Sequence, residues 1–370
     1  MNMNQVSIGI VGTSWWADTM FLPALASHPQ GRVIATCGRN RKRADTFASQ
    51  WGIDHVFDNY ETMIESADID AVIVSTRNDS HYPITMKALE RGLHVLCEKP
   101  LGLNYQEAKK MADLAHEKDV KHMTPFTYRF MPTTRYIHEL INDGFIGDPY
   151  HLNMRYYAGF GRDDDYNWRY DVRKAGSGIV GDIGSHFLYL AYWMFGKIKA
   201  VSCRLGYFRD RPELDPKGQT YERGDELATV TMEFENGAQG VLQATCLAYE
   251  DTNFQQSHHM EFHGSGGTLY NVIDWDHTQR VSGAKDGEGP VKEMVVPDRI
   301  WGDVRRDHVH NTYKDIFRTQ NSMTRHWVTA IAEDTVVQPD FHDGAHIQRV
   351  IDASVKSHKE RCWINVEDIQ

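Results

Sequence analysis

The sequence has no apolar run of 18 residues, so nothing in it reads as a membrane-spanning helix. Cysteine is scarce and unpatterned. The five (Cys37, Cys97, Cys203, Cys246 and Cys362) are odd in number, scattered, and form no Cys-x-x-Cys. That excludes a disulfide framework and points to a reduced, cytoplasmic compartment. Positive charge is in deficit: 40 Lys and Arg stand against 51 Asp and Glu, a formal net charge of −11. Nucleic acid is therefore not expected as the main partner, since that needs a basic face; a local basic patch for a phosphate stays open. Repeats and low-complexity segments are missing too. The first residues run almost directly into a strand-like 6–12, which leaves no room for a signal peptide. What remains is 370 residues, 41% hydrophobic and 25% charged, ordinary for a soluble protein and too long for one comfortable core. Two domains are the expectation.

The rest of the chain is organised around 93–101, Leu-His-Val-Leu-Cys-Glu-Lys-Pro-Leu. A short apolar run reads as a buried parallel strand, and a proline cannot donate to a ladder. Lys99 therefore stands where a buried strand stops, which in open α/β sheets is where ligands bind. Upstream, 6–12 is an apolar strand ending in Gly12, followed by Thr13, Ser14, Trp15, Trp16 and a helical pattern. Strand, turn and helix are the context of a dinucleotide-binding loop. Here the loop lacks two of its three glycines, since Gly12-x-Ser14-x-x-Ala17 replaces Gly-x-Gly-x-x-Gly. Gly12 suits the tight turn, Ser14 is small enough for a pyrophosphate to approach, and Ala17 suits close helix packing. Taken alone, the pattern also fits an ordinary βα turn.

A second strand covers 31–38, and the acid that usually bonds the ribose 2′-hydroxyl of NAD is missing from its end. Gly38 stands there instead, followed by Arg39, Arg41, Lys42 and Arg43. Guanidinium groups suit a 2′-phosphate, and cations sit poorly at a helix start unless an anion is present. NADP(H) is favoured and NAD(H) is tolerated; the competing reading is a solvated helix start. Strands are expected at 70–76 and at 119–126, the latter a sixth strand. Helices are expected at 82–91, closed by Gly92, and at 104–118, capped by Asn104. Strands alternating with helices specify a doubly wound sheet.

Beyond 126 the pattern changes. A helix runs through Ile141 to a stop at Gly144, and 150–160 alternates as a half-buried strand. The run Asp163-Asp164-Asp165 lacks the ligand spacing and glycine of a calcium loop and reads as a solvated loop tip; no metal site is expected. Asp182 and His186 are four apart, so on one helix they share a face, with a cap near Gly184 as the alternative. Strands at 200–208, 227–234 and 238–247 follow, with a hairpin at Glu235-Asn236-Gly237. Another pairing is expected between 259–263 and 268–272. His258, His259 and His263 lack a carboxylate or cysteine to complete a site and read as structural or surface histidines. The stretch 274–313 is polar and unassigned, and helices are expected at 323–334 and 343–357.

Four of these motifs together resemble the Gfo/Idh/MocA oxidoreductases, over essentially the whole chain. They are Gly-Ile-Val-Gly at 9–12, Ser-Thr-x-Asn-x-x-His at 75–81, His-Val-Leu-Cys-Glu-Lys-Pro-Leu at 94–101 and Gly-Ile-Val-Gly-Asp-Ile-Gly-Ser-His at 178–186. Three departures stand out: Ser14 and Ala17 replace common glycines, Arg77 replaces a usual proline, and Tyr189 stands where many members have an aspartate. The last bears on substrate specificity. The resemblance implies an α/β protein with two domains. Residues 1–125 would be an NAD(P)-binding Rossmann domain, a doubly wound parallel sheet. Residues 126–370 would be an α+β domain for substrate binding and oligomerisation, with an open-faced, mainly antiparallel sheet. C-terminal helices are free to pack back on the first domain. The open face is expected to be apolar and too large to leave wet, so a homodimer or homotetramer would form through it.

The implied reaction is reversible hydride transfer between a nicotinamide and a carbinol or carbonyl carbon of a sugar, inositol or related polyol. Lys99 and His186 would sit on the reacting oxygen, with Asp182 orienting His186. Ser75, Thr76, Asn78, His81 and Glu98 would join the cofactor side. Arg129, Tyr157, Trp168 and Arg169 are candidates for the substrate wall, since Tyr and Trp offer a sugar a flat apolar face with a polar edge. An NAD-dependent glycoside hydrolase and a non-catalytic cofactor-sensing regulator are the alternatives on the same scaffold. Retention of Lys99, Asp182 and His186 argues against the second of these.

Overall fold

The computed structural model describes residues 5–249 and 255–370. The chain forms two compact units, Met1–Phe126 with Lys314–His346, and Thr127–Tyr313 with Ile347–Gln370.

In the first unit, six strands alternate with helices. They are β1 (Val6–Val11), β2 (Gly31–Cys37), β3 (His55–Phe57), β4 (Ala71–Val74), β5 (His94–Cys97) and β6 (His122–Met123). Between them lie α1 (Leu22–Ala26), α2 (Arg41–Trp51), α3 (Tyr60–Ser66), α4 (His81–Glu90) and α5 (Tyr105–Glu117). The sheet order is β3-β2-β1-β4-β5-β6, and every pairing is parallel. The order reverses at β1, so the ends of β1, β2 and β4 splay a crevice there. Side-chain caps start three helices: the carboxamides of Asn40, Asn59 and Asn104 accept from Arg43, Thr62 and Glu107. The core packs Val72, Val74, Val95 and Cys97 of the sheet against Ile84, Met111 and Phe341. β3 has three residues and no apolar run, so nothing in the sequence announces it. The expected sixth strand shrinks to two residues.

The second unit opens with α6 (Pro132–Asn142), β7 (Pro149–Ala158), α7 (Val172–Ala175), α8 (Ile179–Asp182) and α9 (Gly184–Phe195). The strands β8 (Ile198–Gly206), β9 (Leu227–Phe234), β10 (Gln239–Thr245), β11 (Gln256–Gly264) and β12 (Gly267–Asp274) follow. The unassigned stretch holds β13 (Thr278–Lys285), β14 (Lys292–Met294) and α10 (Asp298–Trp301). The chain ends through α11 (Val309–Arg318), α12 (Thr324–Glu333), α13 (Phe341–Glu360) and β15 (Ile364–Asn365). The nine-stranded sheet runs β14-β13-β12-β11-β7-β10-β9-β8-β15. Within this sheet, among the described strands, only β7 and β10 pair in parallel.

One face of this sheet is covered by α6 and α9. Phe187 stacks on Tyr156 at 5.2 Å and Asn271 reaches Thr134 at 3.3 Å. The other face corrects an expectation: it is mostly polar. It presents His151, Asn153, Arg155, Thr231, Gln239 and Gln243, with Val241 the one large apolar side chain among them that is more than a third exposed. Period-two alternation decides this, because most inward apolar residues leave a polar neighbour outward, with Tyr157, Val241, Tyr270 and Val272 the exceptions. An apolar patch therefore supplies no argument for pairing through that face. α12 belongs to the first unit, where Arg325 donates to the Ala24 carbonyl at 2.7 Å and Trp327 to that of Lys121 at 3.3 Å.

Candidate active site

The candidate residues fall in two halves, one in each unit. In the first, Gly12 ends β1 with φ +111°, and its N–H donates to the Cys37 carbonyl at 2.9 Å. A Cβ here would lie 2.1 Å from the Ser75 carbonyl oxygen, so only glycine lets β1 and β4 close at this point. Ser14 takes over what the missing glycine leaves. Its hydroxyl accepts from Ala17 N–H at 3.0 Å and meets the Ser75 hydroxyl at 2.8 Å. It thereby caps the helix that starts at Trp15 and runs through a π-helical turn, Ala17–Phe21. The first-turn N–H groups of Trp15 and Trp16 have no carbonyl behind them, which makes this start an anion site. Gly38 is buried against Thr13 and Ala44, while Arg39 and Arg43 stand exposed beyond it. Arg41 is engaged elsewhere, in an ion pair with Asp45 at 2.9 Å. The cradle thus has a close-approach glycine, a helix start and exposed guanidiniums, a set that fits the phosphates of a dinucleotide.

Lys99 stands two residues past the end of β5, and its N–H donates to its neighbour's carboxylate, Glu98, at 3.2 Å. Glu98 N–H continues the ladder to the Val74 carbonyl at 3.0 Å. His81 is fully buried, with Nδ1 at 2.9 Å from the Pro100 carbonyl and Nε2 at 3.3 Å from that of Thr76. Burial pushes its pKa down to about 4, so it is neutral and donates from one nitrogen at a time. His81 thus ties the β4 loop to the segment carrying Lys99, which is a positioning role. Asn78 is buried as well, whereas Arg77 pairs with Asp79 at 2.8 Å.

In the second unit, Asp182 and His186 do not share one helix. Asp182 ends α8, Ile183 breaks the run, and His186 lies in the first turn of α9. The cap alternative is the one observed. The Asp182 carboxylate receives Arg169 at 3.3 Å, and the Arg169 guanidinium stacks over Trp168 at 4.6 Å. Asn167 caps this short turn by accepting from Arg169 N–H at 3.1 Å. His186 is buried with its ring 4.7 Å from that of Tyr128. Arg129, next in sequence, donates to the Tyr189 hydroxyl and stacks on Trp193 at 4.6 Å. It therefore lies along α9 beyond His186, bonded to the residue that replaces the usual aspartate.

Tyr157 is a correction. It points to the outer face of the sheet, where it donates to Gln243 and stacks under Arg155 at 5.0 Å. Tyr156 holds the inner position, since a shift of one residue along a strand reverses the face. Tyr156 bonds Tyr128 at 2.8 Å; Gln256 donates to Tyr128 at 3.1 Å and contacts His258 at 2.9 Å. Burial lowers the His258 pKa to about 3 and raises that of Tyr128 to about 12. This neutral cluster behind His186 escaped the sequence reading because its members come from a 3-10 turn and two strands far apart in the chain. His259 faces outward to Arg155 at 3.0 Å, and His263 stacks on His151 at 4.4 Å.

Fold and site together define a dinucleotide-dependent oxidoreductase with a second, sheet-based unit. Residues 6–126 match the oxidoreductase family with an NAD-binding Rossmann fold, and 138–366 match that family's C-terminal alpha/beta domain. The chain belongs to the Gfo/Idh/MocA family of oxidoreductases. It is 27% identical over 414 residues to levoglucosan dehydrogenase of Pseudarthrobacter phenanthrenivorans, covering 99% of this chain and 100% of that protein. It is 23% identical over 359 residues to glucose-6-phosphate 3-dehydrogenase of Bacillus subtilis, covering 93% and 94% respectively. A levoglucosan dehydrogenase solved in complex with NADH and levoglucosan shares the fold, with a TM-score of 0.87 at 24% identity over 98% of this chain and 100% of that one.

Proposed function

We propose that the protein catalyses reversible hydride transfer between a nicotinamide dinucleotide and a CH–OH carbon of a sugar or related polyol, with NADP(H) preferred. One observation carries the reading: a lysine, Lys99, stands at the C-terminal end of β5, two strands from the β1 crevice, in a family of oxidoreductases. Similarity to two sugar dehydrogenases supports the substrate class. When bound, nicotinamide supplies the hydride chemistry. In the alcohol-to-ketone direction, His186 accepts the hydroxyl proton. Lys99 donates to the same oxygen and stabilises its developing negative charge. Asp182, held by Arg169, orients the base, and Trp168 offers a ring face to the sugar. Gly38 and Arg39 support a 2′-phosphate, because they remove the acid and supply a cation. A cytoplasmic homo-oligomer remains the expectation for the assembled enzyme.

The test begins with melting shifts for NAD(H) and NADP(H), then screens sugars and polyols with the preferred nucleotide. Lys99→Met should keep nucleotide affinity and lower turnover by about 10²- to 10⁴-fold. Undiminished turnover in that variant sinks the lysine assignment, and a larger melting shift with NAD(H) sinks the NADP(H) preference.

A further inference from the structure

The turn carrying Asp182 begins without a cap of its own. Gly178 is its N-cap residue and has no side chain to offer. The missing cap arrives from 45 residues away. Asp225 is 1% exposed, and its carboxylate accepts from Gly178 N–H at 3.0 Å and Val180 N–H at 2.8 Å. Its backbone carbonyl accepts from the intervening Ile179 N–H at 2.9 Å. Three successive N–H groups thus end on one residue. The approach is possible only between glycines: a Cβ on Gly178 would lie 2.1 Å from the Asp225 carbonyl oxygen, and one on Gly224 would lie 2.8 Å from Gly178 Cα. One turn on, Asp182 N–H donates to the Gly178 carbonyl at 3.0 Å, so displacement of Gly178 displaces Asp182.

The same segment holds the other side of the site. Gly224 N–H donates to the Tyr170 carbonyl at 2.8 Å, and Val172 N–H donates to that of Glu222 at 3.0 Å. Trp168 and Arg169 therefore hang from one edge of 222–226, and Asp182 from the other. Glu226 anchors the segment by accepting from Phe208 N–H at 2.7 Å, Arg209 N–H at 2.9 Å and Arg211 Nε at 2.8 Å.

We propose that Asp225 is a positioning residue for the reaction, fixing the turn that presents Asp182 and leads into His186. The inference rests on the hydride-transfer reading for its kinetic consequence but not for its geometry. Burial outweighs the N–H bonds and raises the Asp225 pKa to about 6. The sign follows: a carboxyl with a raised folded pKa costs the fold nothing when it takes up a proton below pH 6. An opening of the turn that exposes Asp225 to water is therefore less favoured below pH 6 than above it. The titratable groups facing Asp225 are Glu226, Cys203 and Tyr207. Burial pushes both Cys203 and Tyr207 up to about 12, so neither changes charge in this window, and Glu226 is paired with Arg211.

The experiment is Asp225→Asn, whose amide turns one acceptor into a donor facing the N–H groups. Nucleotide affinity should hold, kcat should fall about 10- to 100-fold as expected of a small misplacement, and amide-exchange protection at 178–180 should drop. A folded variant with unchanged kcat or unchanged protection overturns the proposal. If the variant does not fold, protection at 178–180 in the unmutated protein is followed from pH 7.5 to 5. A rise in protection below about pH 6, where the proton favours the turn with Asp225 buried, supports the assignment, and constant or falling protection overturns it. Exchange needs no substrate, so a sugar panel without turnover would defeat the hydride-transfer reading while leaving this result standing.

Discussion

Arg39 stands on a different footing from its basic neighbours. Arg41 is paired with Asp45, and Asn40 is occupied as the cap of α2, whereas Arg39 follows a glycine in the position the acid would hold. A charge-assisted bond to a phosphate is worth about 1.5–3 kcal/mol, so Arg39→Ala should weaken NADPH by about 10- to 100-fold and leave NADH nearly unchanged. Parallel fluorescence titrations with the two nucleotides check it, and equal losses for both would refute it. Tyr156 and Tyr157 divide on similar grounds. Tyr157→Phe, on the outer face, should leave kcat/KM within about twofold. Tyr156→Ala empties the core beside Tyr128 and should cost about 3–5 kcal/mol in denaturant unfolding. The sequence presents the two as adjacent equals; only strand register separates them.

Among the elements, three of the first-unit helices begin on an asparagine, and Asn104 is the one whose helix leads on from the Lys99 segment. Asn104→Ala should cost about 1 kcal/mol of stability, read as a lowered melting temperature with kcat unaffected. The turn into α9 behaves differently, because its cap lies on a distant segment just before β9. That is why the spacing of Asp182 and His186 suggests a shared helix face and the structure has a break at Ile183. Strands alternating cleanly, such as β9 and β10 around Asn236-Gly237, are legible from their own residues. β3 and β13 are not: one is three residues long, and the other carries Thr, Gln, Arg and Ser on a sheet whose outer face is mostly polar.

For the whole molecule, the buried histidines set the acid limit. His81 in the first unit and His258 in the second have pKa values lowered to about 4 and about 3, mainly by burial. A depressed histidine contributes stability that is complete above its unfolded value of about 6.5 and is lost as pH falls toward its folded value. Each should remove up to about 1.4 kcal/mol per pH unit in that window. Melting temperatures recorded from pH 7.5 to 4.5 should therefore fall below pH 6.5 for both units. A flat profile would contradict neutral burial of these two groups.

The sequence by itself determined the local and periodic features: the apolar parallel strands β1, β2, β4 and β5, the Asn104 cap, the Asn-Gly hairpin, Gly12 at the head of the nucleotide loop and Lys99 at a strand end. Each is written within a few residues, because apolar period, cap chemistry and glycine conformation act at short range. Tertiary structure decided the rest. It placed Tyr157 outward, made the open face mostly polar, turned His81 into a brace and brought Asp225 under the turn of Asp182. Those outcomes depend on which strands pair and in what register, and residues 45 apart carry no local mark of their meeting.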